Sequence, residues 1–313
     1  MSYTDWEAAT KLSAQCGFSY AALLPAEPVA GYTPSAEAVR QGIVHDPALL
    51  LPGARSVLVV AMPFVWHSPW PVGYGEVSAF YFTSQRAHEA IQRLGEVLSA
   101  QGVSVSVKQN LPQKRLGERA GIGLLGRNTL LRNAAWGSCF ALRVLVTDIP
   151  PGPQPKTMPA PKCGSCRRCV QACPTGALRD DGTLDTTLCL RSYMMSGETV
   201  PEALRPHMGV RLLGCEICQR ACPHNGAMPV SAPDVSAFSL DALLCGKKRD
   251  RDEIARHIGW NEARLQRIQA QAALAAGNSG DTQYLPALQA LVHHERYAVA
   301  EHARWAINRL KGE

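Results

Sequence analysis

The sequence predicts an α+β fold in three consecutive parts: an α/β domain over residues 1–152, a ferredoxin-like module over 153–230 and a helical segment over 231–313. Three observations lead there. Apolar, β-branched runs at 56–62 and 140–147 alternate with stretches whose apolar residues recur at helical spacing, the pattern of interleaved strands and helices. Eight of the eleven cysteines crowd into 163–222. Beyond residue 231 the apolar spacing is that of amphipathic helices.

The first element is a helix over 5–16, with Trp6, Ala9, Leu12 and Cys16 near one face and Gly17 ending it. A short strand at 20–24 is closed by Pro25, and a helix around 36–42 precedes the turn Leu51-Pro52-Gly53. The run Ser-Val-Leu-Val-Val-Ala-Met at 56–62 has no polar alternation, so it predicts a strand buried on both faces. Pro, Gly and aromatic residues make 63–75 a loop. A helix over 83–102 would bury Ala90, Ile91, Leu94, Val97 and Leu98 as one stripe, and 103–107 alternates as a half-buried strand does. Residues 116–131 mix helix with glycine-punctuated turns before the strand at 140–147. Six prolines in 150–161 make an extended spacer. Past the cysteines, helices are expected over 240–258, 263–277, 285–293 and 296–310, with an Asn-Ser-Gly-Asp turn at 278–281. That arrangement is similar to a short helical repeat.

Composition excludes a disordered chain: 46% of residues are hydrophobic, 19% are charged, and the length suffices for a large core. The net charge of +6 suits a polyanionic partner such as RNA without requiring one. Asp5 stands where a signal peptide would be basic, no apolar signal core follows, and no apolar run reaches membrane-spanning length. These features predict a cytoplasmic protein, where eleven cysteines serve metal ligation or chemistry rather than disulfides.

The cysteines carry the chemistry. Residues 163–175 read C-G-S-C-R-R-C-V-Q-A-C-P-T, Cys189 stands alone, and 214–223 read G-C-E-I-C-Q-R-A-C-P. In C-x2-C-x2-C-x3-C-P the first three thiolates grip one 4Fe–4S cluster while the fourth ligates the other. The pattern assigns Cys163, Cys166, Cys169 and Cys222 to one cluster, and Cys173, Cys189, Cys215 and Cys218 to the second. C-x2-C pairs are also zinc knuckles, so two structural zinc sites are the alternative; the two Cys-Pro endings and the three-residue step favour iron. Cys16, Cys139 and Cys245 are expected to be buried, inert thiols. Other machinery is scarce. There is no P-loop, H-E-x-x-H or G-x-S-x-G. Gly121-Ile-Gly123-Leu-Leu-Gly126 has the letters of a dinucleotide loop but precedes no helix-plus-acid pattern, and His45, His67 and His88 are isolated.

A series of motifs follows in order: A-G-I-G-L-L-G-R-N-T-L-L at 120–131, W-G-S at 136–138, V-T-D-I-P at 146–150, the first cysteine run ending C-P-T-G-A, L-R-P-H-M-G at 204–209 and G-C-E-I-C-Q-R-A-C-P-H-N at 214–225. Ala79, Tyr81 and His88 upstream, and A-A-G-N-S-G-D at 275–281, extend it. The series resembles the epoxyqueuosine reductase family, cobalamin- and iron–sulfur-dependent enzymes that complete queuosine in tRNA and are related to corrinoid reductive dehalogenases. The resemblance implies a nitroreductase-like domain for cobalamin, two 4Fe–4S clusters feeding it electrons one at a time, and a HEAT-like C-terminal repeat. It further implies an external low-potential electron donor, a monomer, and corrin contacts from Arg127, Leu130, Arg191 and Glu216. Lys247, Lys248, Arg249, Arg251, Arg264 and Arg267 would hold tRNA phosphates.

One departure stands out. The family carries a general-acid Asp after the strand ending near Val107, and ungapped alignment puts that acid on Val107 itself. Residues 100–117 contain neither Asp nor Glu. An epoxide oxygen leaving as an alkoxide needs a proton, which Lys108 or a water would have to give. Two other readings remain open: a paralogous corrinoid iron–sulfur reductase of a small molecule, and a non-catalytic electron-transfer protein.

Overall fold

A computed structural model describes residues 5–33, 38–39 and 41–312 of the chain. Its contacts divide the chain into two units, residues 1–64 with 83–164, and residues 65–82 with 165–313.

The first unit is built on an antiparallel sheet of four strands in the order Tyr20–Pro25, Ser56–Pro63, Phe140–Thr147, Val105–Ser106. Val57, Leu58, Val59 and Val60 are all fully buried, as expected of a strand covered on both faces. On one face Val57, Val59, Ala61, Val144 and Val146 join Leu116, Ala120 and Ile122 from the helix Gln113–Arg119 and the turn after it. The helix Ala79–Ala100 covers the other face, where Gly95 sits close to Val105, Val107 and Leu145. Its stripe is Ala87, Ala90, Ile91, Leu94 and Leu98, all fully buried; Val97, expected there, is 38% exposed. The first helix is Trp6–Gln15, its N-terminus capped by the Asp5 carboxylate accepting from the Ala8 amide at 2.8 Å. Of the helix expected at 36–42, residues 36, 37 and 40 lie outside the described residues.

The strand expected at 103–107 is shorter than its alternation suggests, with only Val105–Ser106 on the ladder. A side chain takes over from there. Gln109 Nε2 donates to the Val144 carbonyl at 2.9 Å and its Oε1 accepts from the Val144 amide at 3.1 Å, satisfying the groups that a longer strand would have met.

In the second unit, the loop expected at 63–75 contains the strand Trp66–His67, which pairs in parallel with Val230–Ser231; Glu76–Val77 pairs with Arg211–Leu213. Val77 and Tyr81 enter one core with Met194, Leu212, Leu213, Phe238 and the C-terminal helices. The helix expected over 240–258 is two, Leu240–Cys245 and Lys248–Ile258, because Gly246 adopts the left-handed conformation and ends the first. Leu265–Ser279, Leu285–Gln289 and Tyr297–Lys311 follow. His302 is fully buried between them: its Nε2 accepts from the Val200 amide and its Nδ1 donates to the Ala270 carbonyl, both at 3.0 Å. No helix among the described residues is long and apolar enough to cross a membrane.

Candidate functional site

Short helices bounded by Cys-Pro steps place the cysteines. Arg168–Ala172 carries Cys169 and ends at Cys173, while Ile217–Arg220 carries Cys218 and leads to Cys222; the two helices pack together. Leu190–Ser196 starts at Cys189, its N-cap. Proline after Cys173 and after Cys222 forbids continuation of the helix, so these two thiols are left at turns rather than on a helix face.

Within the second unit Cys173, Cys189, Cys215 and Cys218 are electrostatic neighbours. Burial first, then the thiolates of Cys215, Cys189, Cys173 and Cys169, push the Cys218 thiol up to about 12. Burial likewise raises Cys215. Cys173 goes the other way: its burial is outweighed by hydrogen bonds from the Leu178 amide, the Thr175 hydroxyl and the Thr175 and Ala177 amides, which favour the thiolate. Four mutually repelling, half-enclosed sulfurs fit a group that brings its own positive charge, as iron does. Among the described residues no three His, Cys, Asp or Glu side chains converge on one ion position.

Cys163 belongs to the first unit. Its sulfur accepts from the Arg127 amide at 3.3 Å and from Arg132 Nη2 at 3.2 Å, and Arg127 Nη2 donates to the Gly164 carbonyl at 3.1 Å. Both arginines stand on a hairpin whose strands are Leu124–Leu125 and Leu131–Arg132. The glycine motif at 121–126 thus leads into a hairpin and not a helix, which removes the dinucleotide reading. At its tip Thr129 has φ +60, a left-handed conformation rare for a β-branched residue, and its carbonyl accepts from Lys114 Nζ at 2.8 Å. Leu130 is half-buried and Leu124 is 40% exposed, leaving apolar surface on the hairpin.

Glu216 is enclosed beside two cluster-type cysteines. Burial raises its pKa, although the Ser78 hydroxyl bonds one carboxylate oxygen and Arg220 Nε the other, the latter at 3.0 Å. Arg220 in turn lies 4.5 Å over the Trp66 ring. Arg191 keeps solvent-exposed surface and its charge is felt by the buried Tyr81, whose hydroxyl donates to Met195 Sδ at 3.1 Å. Val107 turns inward: a Cβ on Gly95 would fall 2.6 Å from its Cγ1. Lys108, next in an extended segment, is exposed.

Several expectations need correction. Arg267 is not a phosphate ligand; it is 8% exposed and its guanidinium bonds the Met195, Asn261 and Glu262 carbonyls. Arg251 is tied to Asp252, whereas Lys247, Lys248, Arg264 and Arg249, the last beside Asp250, are exposed. Cys139 is buried as expected, Cys16 is half-buried and Cys245 is exposed. Sequence reasoning missed Arg132, although an arginine closing the apolar run T-L-L-R was a legible sign of a buried cation, and missed the Thr175–Leu178 amides, which follow from the turn after Cys-Pro.

Fold and site together define an α+β iron–sulfur protein with two cysteine sets. The family described as "4Fe-4S double cluster binding domain" matches residues 162–225. Epoxyqueuosine reductase of Bacillus subtilis is 28% identical over 295 residues, covering 84% of this chain and 74% of that protein. Its Escherichia coli counterpart is 33% identical over 242 residues, 69% and 60% of the two chains. An epoxyqueuosine reductase crystallised with an epoxyqueuosine-modified tRNA-Tyr stem loop superposes with a TM-score of 0.79 at 25% identity, over 97% of this chain and 89% of that one. In sequence and in fold the chain is thus similar to the epoxyqueuosine reductases over most of its length.

Proposed function

We propose that this protein reduces epoxyqueuosine in tRNA to queuosine, using two 4Fe–4S clusters and cobalamin. The observation that carries the reading is the double-cluster cysteine pattern set within a chain that superposes, over 97% of its length, on an enzyme crystallised with that RNA. In this reading Cys163, Cys166, Cys169 and Cys222 hold one cluster, and Cys173, Cys189, Cys215 and Cys218 the other. The first unit is a nitroreductase-like domain and the C-terminal helices a HEAT-like repeat. The parts are an α/β domain over 1–152, a cluster module over 153–230 and the repeat over 231–313.

Arg127 and Leu130 on the hairpin, and Arg191 and Glu216 beside cluster ligands, are assigned to cobalamin. The exposed Leu124, the half-buried Leu130 and the strained Thr129 support a flat apolar ligand at the hairpin. When bound, cobalamin supplies a low-valent metal nucleophilic enough to open an epoxide. The protein's part is to hold the corrin, feed it single electrons from an external low-potential donor and deliver a proton to the leaving oxygen. Lys108 is assigned that proton, because its exposed ammonium belongs to a segment, 100–117, that has no carboxylate. Lys247, Lys248 and Arg264 are assigned to RNA phosphates, and the working unit is a monomer in the cytoplasm.

The test is direct. Protein reconstituted anaerobically with iron, sulfide and cobalamin is incubated with epoxyqueuosine-bearing tRNA and a strong reductant, and queuosine is sought by mass spectrometry. Its absence from a fully loaded protein would reject the substrate. The missing carboxylate favours a second reading, a corrinoid reductase of a different epoxide or small molecule. That reading requires cobalamin uptake and cluster reduction to be intact while the tRNA is untouched.

A further inference from the structure

Arg132 is a buried cation with no carboxylate partner among the described residues. It is 3% exposed and lies on the strand Leu131–Arg132. Nη1 donates to the Pro161 carbonyl and Nη2 to Cys163 Sγ at 3.2 Å; Nε has no partner, and no ion pair joins Arg132 to an Asp or Glu among the described residues. The space for the guanidinium is made by Gly126, where a Cβ would fall 2.9 Å from Arg132 Nε and 3.0 Å from Asn128 Oδ1. A buried guanidinium is strongly destabilising unless something anionic faces it, and a neutral thiol is a poor acceptor. What it faces is the sulfur of Cys163.

We propose that Arg132 sets the reduction potential of the cluster ligated by Cys163, through a charge-assisted hydrogen bond to the ligand sulfur from a site where no carboxylate neutralises it. The inference rests on the cluster reading above. A cubane held by four thiolates is anionic and gains one further negative charge on reduction. A fixed cation beside a ligand sulfur therefore stabilises the reduced form more than the oxidised form and raises the potential. Arg132 is a positioning and tuning residue, since it touches a ligand and not the reacting atoms. The Arg127 amide donates to the same sulfur from the same hairpin, so hairpin and cluster loop are registered on that sulfur.

The experiment is a redox titration of the reconstituted full chain followed by electron paramagnetic resonance, with iron counted on every sample. Arg132→Met is expected to lower the potential of one cluster by at least about 59 mV, a tenfold change in a one-electron equilibrium, and to leave the other cluster unmoved. Arg132→Lys keeps the charge without the planar fork and should fall between the two. Gly126→Ala leaves Arg132 in the chain but crowds its Nε, and should shift the same cluster in the same direction. Arg132→Met with full iron and both potentials unchanged overturns the proposal. Should Arg132→Met lose its cluster, Gly126→Ala decides: a shift supports the proposal and an unchanged potential overturns it. Wild-type protein that takes up no iron overturns the cluster reading itself, and this inference with it.

Discussion

Two buried side chains show how a residue's chemistry is set by its partners. His302 can only be neutral where it stands: one ring nitrogen accepts from an amide and the other donates to a carbonyl. Burial depresses its pKa from 6.5 to about 4. Because the unfolded chain binds this proton more readily than the native one, the contribution of His302 is complete above pH 6.5 and lost as pH falls toward 4. The full effect is about 3 kcal/mol, and His302→Gln should flatten that acid limb in urea titrations run from pH 7 to pH 4. Arg267 offers the complementary lesson. Arg267→Ala is expected to destabilise the protein by about 3 kcal/mol, read as a lower urea midpoint, because it strips partners from three carbonyls and from Glu262. The double variant Lys247→Ala/Lys248→Ala should instead leave stability unchanged and weaken tRNA binding in a salt-dependent way.

At the scale of elements, the segment after Val105–Ser106 carries the most consequence. A glutamine side chain there completes the edge of the sheet, holding both backbone groups of Val144. Gln109→Ala should lower stability by about 2–3 kcal/mol in denaturant titrations, since two backbone groups lose their partners. The same geometry governs the missing acid. Val107 packs toward Gly95, so Val107→Asp would press a carboxylate against the helix Ala79–Ala100. The variant is expected to lose stability without gaining epoxide reduction. Lys108→Met, on the exposed side, should lower product formation at least tenfold with cobalamin uptake unchanged; an unaltered rate would remove Lys108 from the reaction.

For the molecule as a whole, the proposed second cluster is assembled from Cys173, Cys189, Cys215 and Cys218, which lie far apart in sequence. Cys189→Ser should therefore halve the iron per chain and remove one of two paramagnetic signals while the other persists. The chain's net charge of +6 is compatible with an RNA partner, yet Arg267 and Arg251 of its C-terminal cations are engaged in contacts within the chain. Only the exposed remainder is available to a polyanion.

The sequence by itself determined the cysteine pattern, the buried strands at 56–62 and 140–147 and the broad α+β class, because ligand spacing and hydrophobic periodicity are local properties. It also determined that residues 100–117 hold no carboxylate. What it could not determine was which of several like-charged residues faces water. Arg132, Arg267 and Lys247 are all simply cations in the sequence, and only packing made the first a partner of a cysteine sulfur, the second a structural post and the third an exposed cation. The short strands Trp66–His67 and Glu76–Val77 were illegible for a related reason: each exists because a partner more than 130 residues away supplies its hydrogen bonds. Burial and long-range pairing are properties of the folded chain, and they decided where the charge of this protein can act.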